Sequence, residues 1–246
     1  MKKAALITGA SRGIGRAAAL KLAENSDAEI LVLNARHSNG KLEELESLIR
    51  TIAPEKKCII SYGDAGNLGY VDELRQKVEA DHASVQIIIN NAAVSYVGLL
   101  TDMTEEDWNE TVGTNLSSVF NVCRTFVPGM VSIKSGTIIN VSSVWGLVGA
   151  SCEVAYSATK GAVNAFTKAL AKELAPSGIR VNAAAFGVID TDMNRHLSEE
   201  DRSQLEEEIP IGRMASPEEA ADFIMKLIDM PDYFTGEVVK FDGGWI

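Results

Sequence analysis

The sequence predicts an α/β fold, a single doubly wound parallel sheet of about seven strands with helices on both faces. Three observations predict it. Short aliphatic runs of strand length alternate along the chain with amphipathic helical stretches. The first of these runs passes directly into a glycine-rich turn that opens a helix. No repeat, low-complexity tract or linker interrupts the 246 residues, so 1–246 reads as one domain.

Residues 3–7, Lys-Ala-Ala-Leu-Ile, form the first strand, and Thr8-Gly9-Ala10-Ser11-Arg12-Gly13-Ile14-Gly15 follows it. Glycines at 9, 13 and 15 permit a tight turn and close approach of backbone amides to a ligand. The next helix, about 14–24, aims its partial positive charge at that turn. A glycine turn without a ligand is the plain alternative; its place between strand and helix favours a pyrophosphate site.

The second strand, Glu29 to Asn34, runs out into Ala35 and Arg36 with no carboxylate at its end. A dinucleotide fold that uses NAD places an acid there for the ribose hydroxyls. Arg36 and Arg12 instead predict a 2′-phosphate partner, hence NADP(H). A helix over about 40–52 stops before Pro54, and Lys57 to Tyr62 is the third strand, closing on Gly63, Asp64 and Ala65. Asp64 reads as a turn cap or as a contact to an adenine amino group. After a helix over 67–81, the buried strand Gln86 to Ile89 ends in Asn90, Asn91, Ala92 and Ala93. Buried amides need partners, so these asparagines are expected to stitch the sheet edge and line a cleft.

Thr104-Glu105-Glu106-Asp107 has the pattern of a capping box at the head of a long helix. Its apolar stripe is Trp108, Val112, Leu116, Val119, Cys123 and Phe126, and Asn115 falls on the same inward face. From spacing, a core asparagine bonding backbone and a role near an active site stand equal. Thr137 to Val141 is the next buried strand and delivers Ser142 and Ser143 at its carboxyl end, where open parallel sheets bind ligands.

After a loop at 144–154 come Tyr156 and Lys160, four apart and on one helix face. A phenol titrates ordinarily near ~10; a neighbouring ammonium favours the phenolate and brings it toward acid–base work near neutrality. The small residues of that helix (Ala155, Ala158, Gly161, Ala162, Ala165, Ala169) allow close packing on the sheet or on another subunit. Ile179 to Ala184 is a sixth strand. The acidic stretch 186–212 is the least regular and reads as a lid. Ser216, Pro217 and Glu219 open a last helix at N-cap, N1 and N3, and Glu237 to Phe241 is the final strand.

With 23 basic and 34 acidic residues the formal net charge is −11, which excludes nucleic acid as a main partner. No apolar run approaches the ~18 residues of a membrane span, and the N-terminus lacks the core of a signal peptide. Three scattered cysteines (Cys58, Cys123, Cys152) read as reduced thiols of a cytoplasmic protein. His37, His82 and His196 have no companions at ligand spacing, so no metal site is expected.

These pieces together resemble the short-chain dehydrogenase/reductases, Rossmann-type enzymes, over the full length. The glycine motif Thr8 to Gly15 and the run Asn90-Asn91-Ala92-Ala93 match motifs of that family, and Asn115, Ser143, Tyr156 and Lys160 fall where its catalytic tetrad falls. The resemblance implies hydride transfer between nicotinamide and a carbonyl carbon. Tyr156 would give the proton, Ser143 would bond the carbonyl oxygen, and Lys160 would lower the tyrosine pKa and hold the ribose. Asn115 would anchor a water of the proton relay. It also implies cofactor contacts at Gly9, Ser11, Arg12, Gly13, Ile14, Gly15, Arg36, Asp64, Ala65, Asn91, Ala92, Tyr156, Lys160, Gly187, Ile189 and Thr191, and a homotetramer.

Within the family the chain is most similar to bacterial 3-oxoacyl-[acyl-carrier-protein] reductases of fatty acid biosynthesis, through Gly178 to Ala183, Ile209 to Arg213 and the Gly-Gly ending. Phe186 stands where a proline is usual, implying a less rigid backbone beside the nicotinamide, and Ala93 stands where a glycine is usual. Of the basic positions expected to dock an acidic acyl carrier protein, one has Lys134 nearby and the other is Ser177. The segments Ser143 to Gly146 and Gly149 to Val154 resemble a Gram-positive branch that reduces an aminopentanone modification on elongation factor P. That substrate, a small ketone, and a non-catalytic NADP(H) sensor are the alternatives.

Overall fold

The structure is a computed structural model and describes residues 1–37, 40–194 and 197–246; His196 lies outside the described residues. Seven strands form one parallel sheet in the order β3-β2-β1-β4-β5-β6-β7. They are β1 Lys2–Ile7, β2 Ile30–Ala35, β3 Lys57–Tyr62, β4 Ala83–Asn90, β5 Gly136–Ser143, β6 Ile179–Phe186 and β7 Val238–Phe241. The strands read as continuous apolar runs because both faces are covered. Along β1, Ala5 and Ile7 enter one core while Ala4 and Leu6 enter the other, as the two-residue period of a strand requires.

Helices α1 (Gly13–Asn25), α2 (Lys41–Ile52) and α9 (Pro217–Ile228) cover the first face. The second carries α3 (Leu68–Ala80), α5 (Ser118–Ile133) and α7 (Val154–Leu174). The strand order reverses between β1 and β4, and that switch point puts a crevice outside the carboxyl ends of the strands.

Three stretches depart from the sequence expectation. The long helix after Thr104 is divided into α4 (Glu105–Val112) and α5 by a π-helical turn at Gly113–Ser117, which contains Asn115. The wider turn shifts the phase of the apolar stripe: Val119, Cys123 and Phe126 are buried, whereas Trp108 is 42% exposed and lies outside the core. The continuous run Glu105–Ile133 is long and apolar enough to cross a membrane by length and composition, though no contiguous stretch of the sequence suggested it. Here it packs on the sheet, with α5 contributing Val119, Val122, Phe126 and Met130 to the second core.

The expected loop at 144–154 holds a short helix, α6 (Trp145–Val148). The irregular stretch 186–212 begins as the end of β6 and includes α8 (Glu199–Glu208). A capping box of Ser198 and Asp201 starts α8, with the spacing of the Thr104–Asp107 box that starts α4. No residue of α8 is buried, so no apolar stripe marked it as a helix.

Phe186 does not loosen its surroundings. It is buried at the end of β6, pairs with Ser143 and Phe241, and makes edge contacts with the rings of Phe223 and Phe241. Its carbonyl accepts from Val144 N at 2.9 Å, so this corner is fixed by the sheet ladder.

Candidate active site

The glycine turn is held by side chains from the neighbouring strand. Thr8 Oγ1 accepts from the backbone nitrogens of Asn91 and Ala92 at 3.0 and 3.1 Å, and Asn91 Nδ2 donates to the carbonyls of Thr8 and Gly9 at 3.0 and 3.1 Å. Asn91 thus stitches β4 to the turn. Gly9 has φ +66°, and a Cβ on Gly15 would overlap the Gly9 carbonyl and come within 2.5 Å of Asn91 Nδ2. The turn therefore requires glycine at both positions. Ser11 is half-buried, and Ile14 packs against the first core.

At the head of α1, Arg12 is the N-cap, yet no side chain caps the helix and no acid stands in its first turn. By contrast α4, α8 and α9 each begin with a capping box and acids. The head of α1, opening directly from the glycine turn, has terminal N–H groups that neither a side-chain cap nor an acid engages; α7 shares that lack but does not follow a glycine turn. The residues here fit a dinucleotide pyrophosphate on the strength of that difference.

Across the crevice, Gly187 N donates to Phe241 O at 2.9 Å, Ile189 forms a bridge with Ala215, and the Thr191 methyl would lie 3.2 Å from a Cβ at Gly13. Asp64 Oδ1 accepts from Gly66 N at 2.7 Å, the turn-capping role, and Ala65 is buried beneath it. The two arginines are not bare. Arg36 meets Glu110 at 2.6 Å and Asp64 at 3.5 Å, and Arg12 meets Asp192 at 3.4 Å. The carboxylates missing from the end of β2 arrive from other elements.

The proton-transfer side is built on β5 and α7. Ser143 ends β5, with its Oγ accepting from Trp145 N at 3.1 Å. Lys160 Nζ donates to Val141 O at 2.8 Å and stands 5.5 Å from the Tyr156 ring centroid. Asn164 joins the same seam: it accepts from Ser142 Oγ at 2.6 Å and donates to Gly146 O at 3.0 Å. A Cβ on Gly146 would meet the Lys160 carbonyl carbon at 2.7 Å, so α6 rests directly on α7. Ser143, Tyr156 and Lys160 are all buried.

Burial reverses one expectation. The phenol of Tyr156 is pushed up, first by desolvation and then by the Glu153 carboxylate, with the Ser143 hydroxyl pulling the other way. Desolvation also pushes Lys160 down, to about 8. A lysine placed in the dry interior, with its hydrogen bond committed to a main-chain carbonyl, does not outweigh the cost of burying a phenolate. Tyr156 is therefore held as the protonated phenol, the form that can donate.

Of the two alternatives left open by spacing, the structure shows Asn115 bonding backbone. Its Oδ1 accepts from Val94 N and its Nδ2 donates to Val94 O, each at 2.8 Å, and the second amide hydrogen goes to Thr159 Oγ1 at 3.2 Å. Thr159 Oγ1 in turn donates to Tyr156 O at 2.8 Å. Both amide donors are thus committed to protein, which leaves a relay water only the remaining lone pair of Oδ1. Asn115 fixes the segment after Ala93 through Val94 and, through Thr159, the turn of α7 that carries Tyr156.

The sequence reading missed Thr8, Thr159 and Glu153. Glu153 stands three residues before Tyr156, one helical turn away, and its Oε2 accepts from Ser95 Oγ at 2.7 Å. That spacing was the available signal. It also missed a ring contact at the C-terminus, where Trp245 lies 4.8 Å from Trp145 beside Ser143. Among the described residues no cluster of three or more His, Cys, Asp or Glu side chains could hold a metal.

A parallel seven-stranded sheet, a glycine cradle at its switch point and a buried Ser-Tyr-Lys group define a nucleotide-dependent oxidoreductase of the short-chain type. The comparison with known families agrees: residues 3–202 match the short chain dehydrogenase family, and the chain belongs to it. It is 39% identical over 246 residues to the uncharacterized oxidoreductase YmfI of Bacillus subtilis, covering 100% of this chain and 99% of that protein. It is 37% identical to the 3-oxoacyl-[acyl-carrier-protein] reductase FabG of Thermotoga maritima, over 99% of this chain and 98% of the other. Among solved structures, "ElxO with NADP Bound" superposes with a TM-score of 0.89 at 28% identity, over 100% of this chain and 99% of that one.

Proposed function

We propose that the chain is an NADPH-dependent reductase of a ketone carbonyl, with a 3-oxoacyl thioester on acyl carrier protein as its substrate. The observation that carries the reading is the buried group of Ser143, Tyr156 and Lys160 at the carboxyl end of β5. An alkoxide forming on the substrate is a far stronger base than a phenolate, so a neutral phenol is the right ground state to quench it. When bound, NADPH supplies the hydride to the carbonyl carbon. Ser143 Oγ donates to the carbonyl oxygen, Tyr156 protonates it, and the Lys160 ammonium stabilises the resulting phenolate and holds the nicotinamide ribose. Asn115, through Val94 and Thr159, keeps the wall and floor of the site in register.

The NADP(H) assignment is supported by the uncapped head of α1, by Arg12 and Arg36 at the crevice, and by the NADP-bound neighbour. Cofactor contacts extend over Gly9, Ser11, Arg12, Gly13, Ile14, Gly15, Asp64, Ala65, Asn91, Ala92, Gly187, Ile189 and Thr191. The stretch 186–212 forms the substrate lid, and its helix α8 is tied down by Arg202, which clasps Asp190 at 3.0 and 2.8 Å. The fatty-acid reading draws on the FabG relatives, which are 35–38% identical over nearly the whole chain. We place the enzyme in the cytoplasm, consistent with free Cys58, Cys123 and Cys152. We assign it a homotetramer in which exposed Phe120, Val154, Ala158 and Ala165 on α5 and α7 become buried.

One observation favours a second reading. Glu153 sets a carboxylate beside Tyr156, a charge suited to a ketone that carries an amine, such as an aminopentanone side chain on a protein. With a net charge of −11, docking an acidic carrier would also depend on few local cations, Lys134 near one expected position and Ser177 standing at the other. NADPH oxidation measured with 3-oxoacyl thioesters on carrier protein, with simple ketones and with amino-ketones decides between them. A higher kcat/KM for the thioester supports the first reading, and a preference for amino-ketones replaces it with the second. Binding of NADPH with no turnover of any carbonyl would make the protein a sensor instead.

A further inference from the structure

Three elements distant in sequence meet at the outer end of the crevice around a cavity of about 510 Å³. The end of β2 brings Arg36, the turn after β3 brings Asp64, and the last turn of α4 brings Asn109 and Glu110. Arg36 Nη1 lies 2.6 Å from Glu110 Oε1, and Arg36 Nε lies 3.5 Å from Asp64 Oδ2. One cation thus faces two carboxylates. The two acids are not equivalent. Asp64 uses its other oxygen to cap the turn through Gly66 N at 2.7 Å, and its contact with Arg36 is the longer. Glu110 makes the short contact and reaches it across 74 positions of sequence, so the pairing is a product of the fold and not of a helix neighbour.

We infer that Glu110 is a specificity-determining residue that weakens the preference for a 2′-phosphorylated cofactor by competing for Arg36. The inference rests on the NADP(H) reading above. A guanidinium prefers a phosphate dianion in a bidentate arrangement, and a fork that uses Arg36 Nη1 requires giving up Glu110. A Glu110 carboxylate that stays near the cavity repels the same phosphate. A ribose 2′-hydroxyl, in contrast, can donate to a carboxylate, which is how an acid at this place favours the unphosphorylated cofactor. Glu110 supplies from α4 the acid that the end of β2 lacks.

The two side chains of the pair are 41% and 51% exposed, so water and salt screen them and the effect is moderate. Exposed pairs of this kind correspond to factors of up to about fivefold in a binding constant. The test is a fluorescence titration of the full-length protein with NADPH and with NADH, giving dissociation constants without turnover, for wild type, Glu110→Gln, Glu110→Ala and Arg36→Ala. Glu110→Gln and Glu110→Ala are expected to tighten NADPH roughly threefold to fivefold while NADH binding stays level or weakens, with the gain shrinking as salt rises. Arg36→Ala is expected to erase the NADPH preference. If both Glu110 variants leave the NADPH:NADH ratio unchanged while Arg36→Ala collapses it, Glu110 has no part in specificity and the NADP(H) reading stands. If Arg36→Ala leaves the ratio unchanged, the NADP(H) reading falls and this inference falls with it.

Discussion

The two sides of the crevice are built in opposite ways. The side formed by Thr8 to Gly15, Asn91, Ser143 and α7 is held by buried and part-buried hydrogen bonds and by backbone approaches that tolerate no added atom. The side formed by 187–212 is held by an exposed clasp, Arg202 on Asp190, and by a capped helix with no buried residue. Chemistry that must place a proton donor to a fraction of an ångström belongs on the first kind of support. A lid that admits and releases a substrate belongs on the second.

Several substitutions would break or sharpen this contrast. The largest effect is expected from Tyr156→Phe, which keeps the buried ring and removes only the proton donor. Its kcat should fall by about two to four orders of magnitude with NADPH affinity unchanged, as measured by steady-state kinetics and direct titration. Retention of full activity would remove Tyr156 from the mechanism. Gly15→Ala comes next. Its methyl has no room between Gly9 O and Asn91 Nδ2, so overpacking of roughly 1–3 kcal/mol should lower Tm by several degrees and abolish cofactor binding together. A normal melting curve would show that the cradle is more pliant than its contacts imply.

Lys160 gives a pH dependence of intermediate size. Its pKa is lowered from 10.5 to about 8 by burial, so the unfolded chain binds more protons between those values. Its burial therefore costs stability below about 8, and that cost is relieved as pH rises through the window. Catalysis has the opposite sign, because the ammonium is the working form. The reductive kcat/KM should fall with an apparent pKa near 8, and Lys160→Arg should lose that limb at reduced activity. The smallest effect is expected on the side formed by 187–212. Arg202→Ala should leave the melting temperature almost unchanged while raising KM more than it lowers kcat. A fall in kcat as large as that of Tyr156→Phe would mean that the lid carries chemistry.

Much of the buried side was legible from residue order. Glycines in the first turn, asparagines at the end of a strand and Tyr156 with Lys160 on a helix each have a mechanism that depends on local spacing. What escaped depended on partners from elsewhere. Asn115 was placed on an inward face, yet Val94 and Thr159, which its amide holds, come from separate segments. Trp108 was assigned to the core because a π turn at 113–117 leaves no mark in a 3.6-residue period. The box at Ser198 had the same spacing as the one at Thr104, but a helix with no apolar stripe offers nothing for periodicity to find.

The sequence by itself determined the alternation of strands and helices, the cradle's glycines and which residues are candidates for the reacting groups, because each is set by chemistry within a few residues. Only the tertiary structure decided their state. Burial pushes the Tyr156 phenol up and the Lys160 ammonium down, since desolvation is a property of everything packed around a group. It also brought Glu110 and Asp64 onto Arg36 from 74 and 28 residues away, a balance of charge that no local stretch of chain contains.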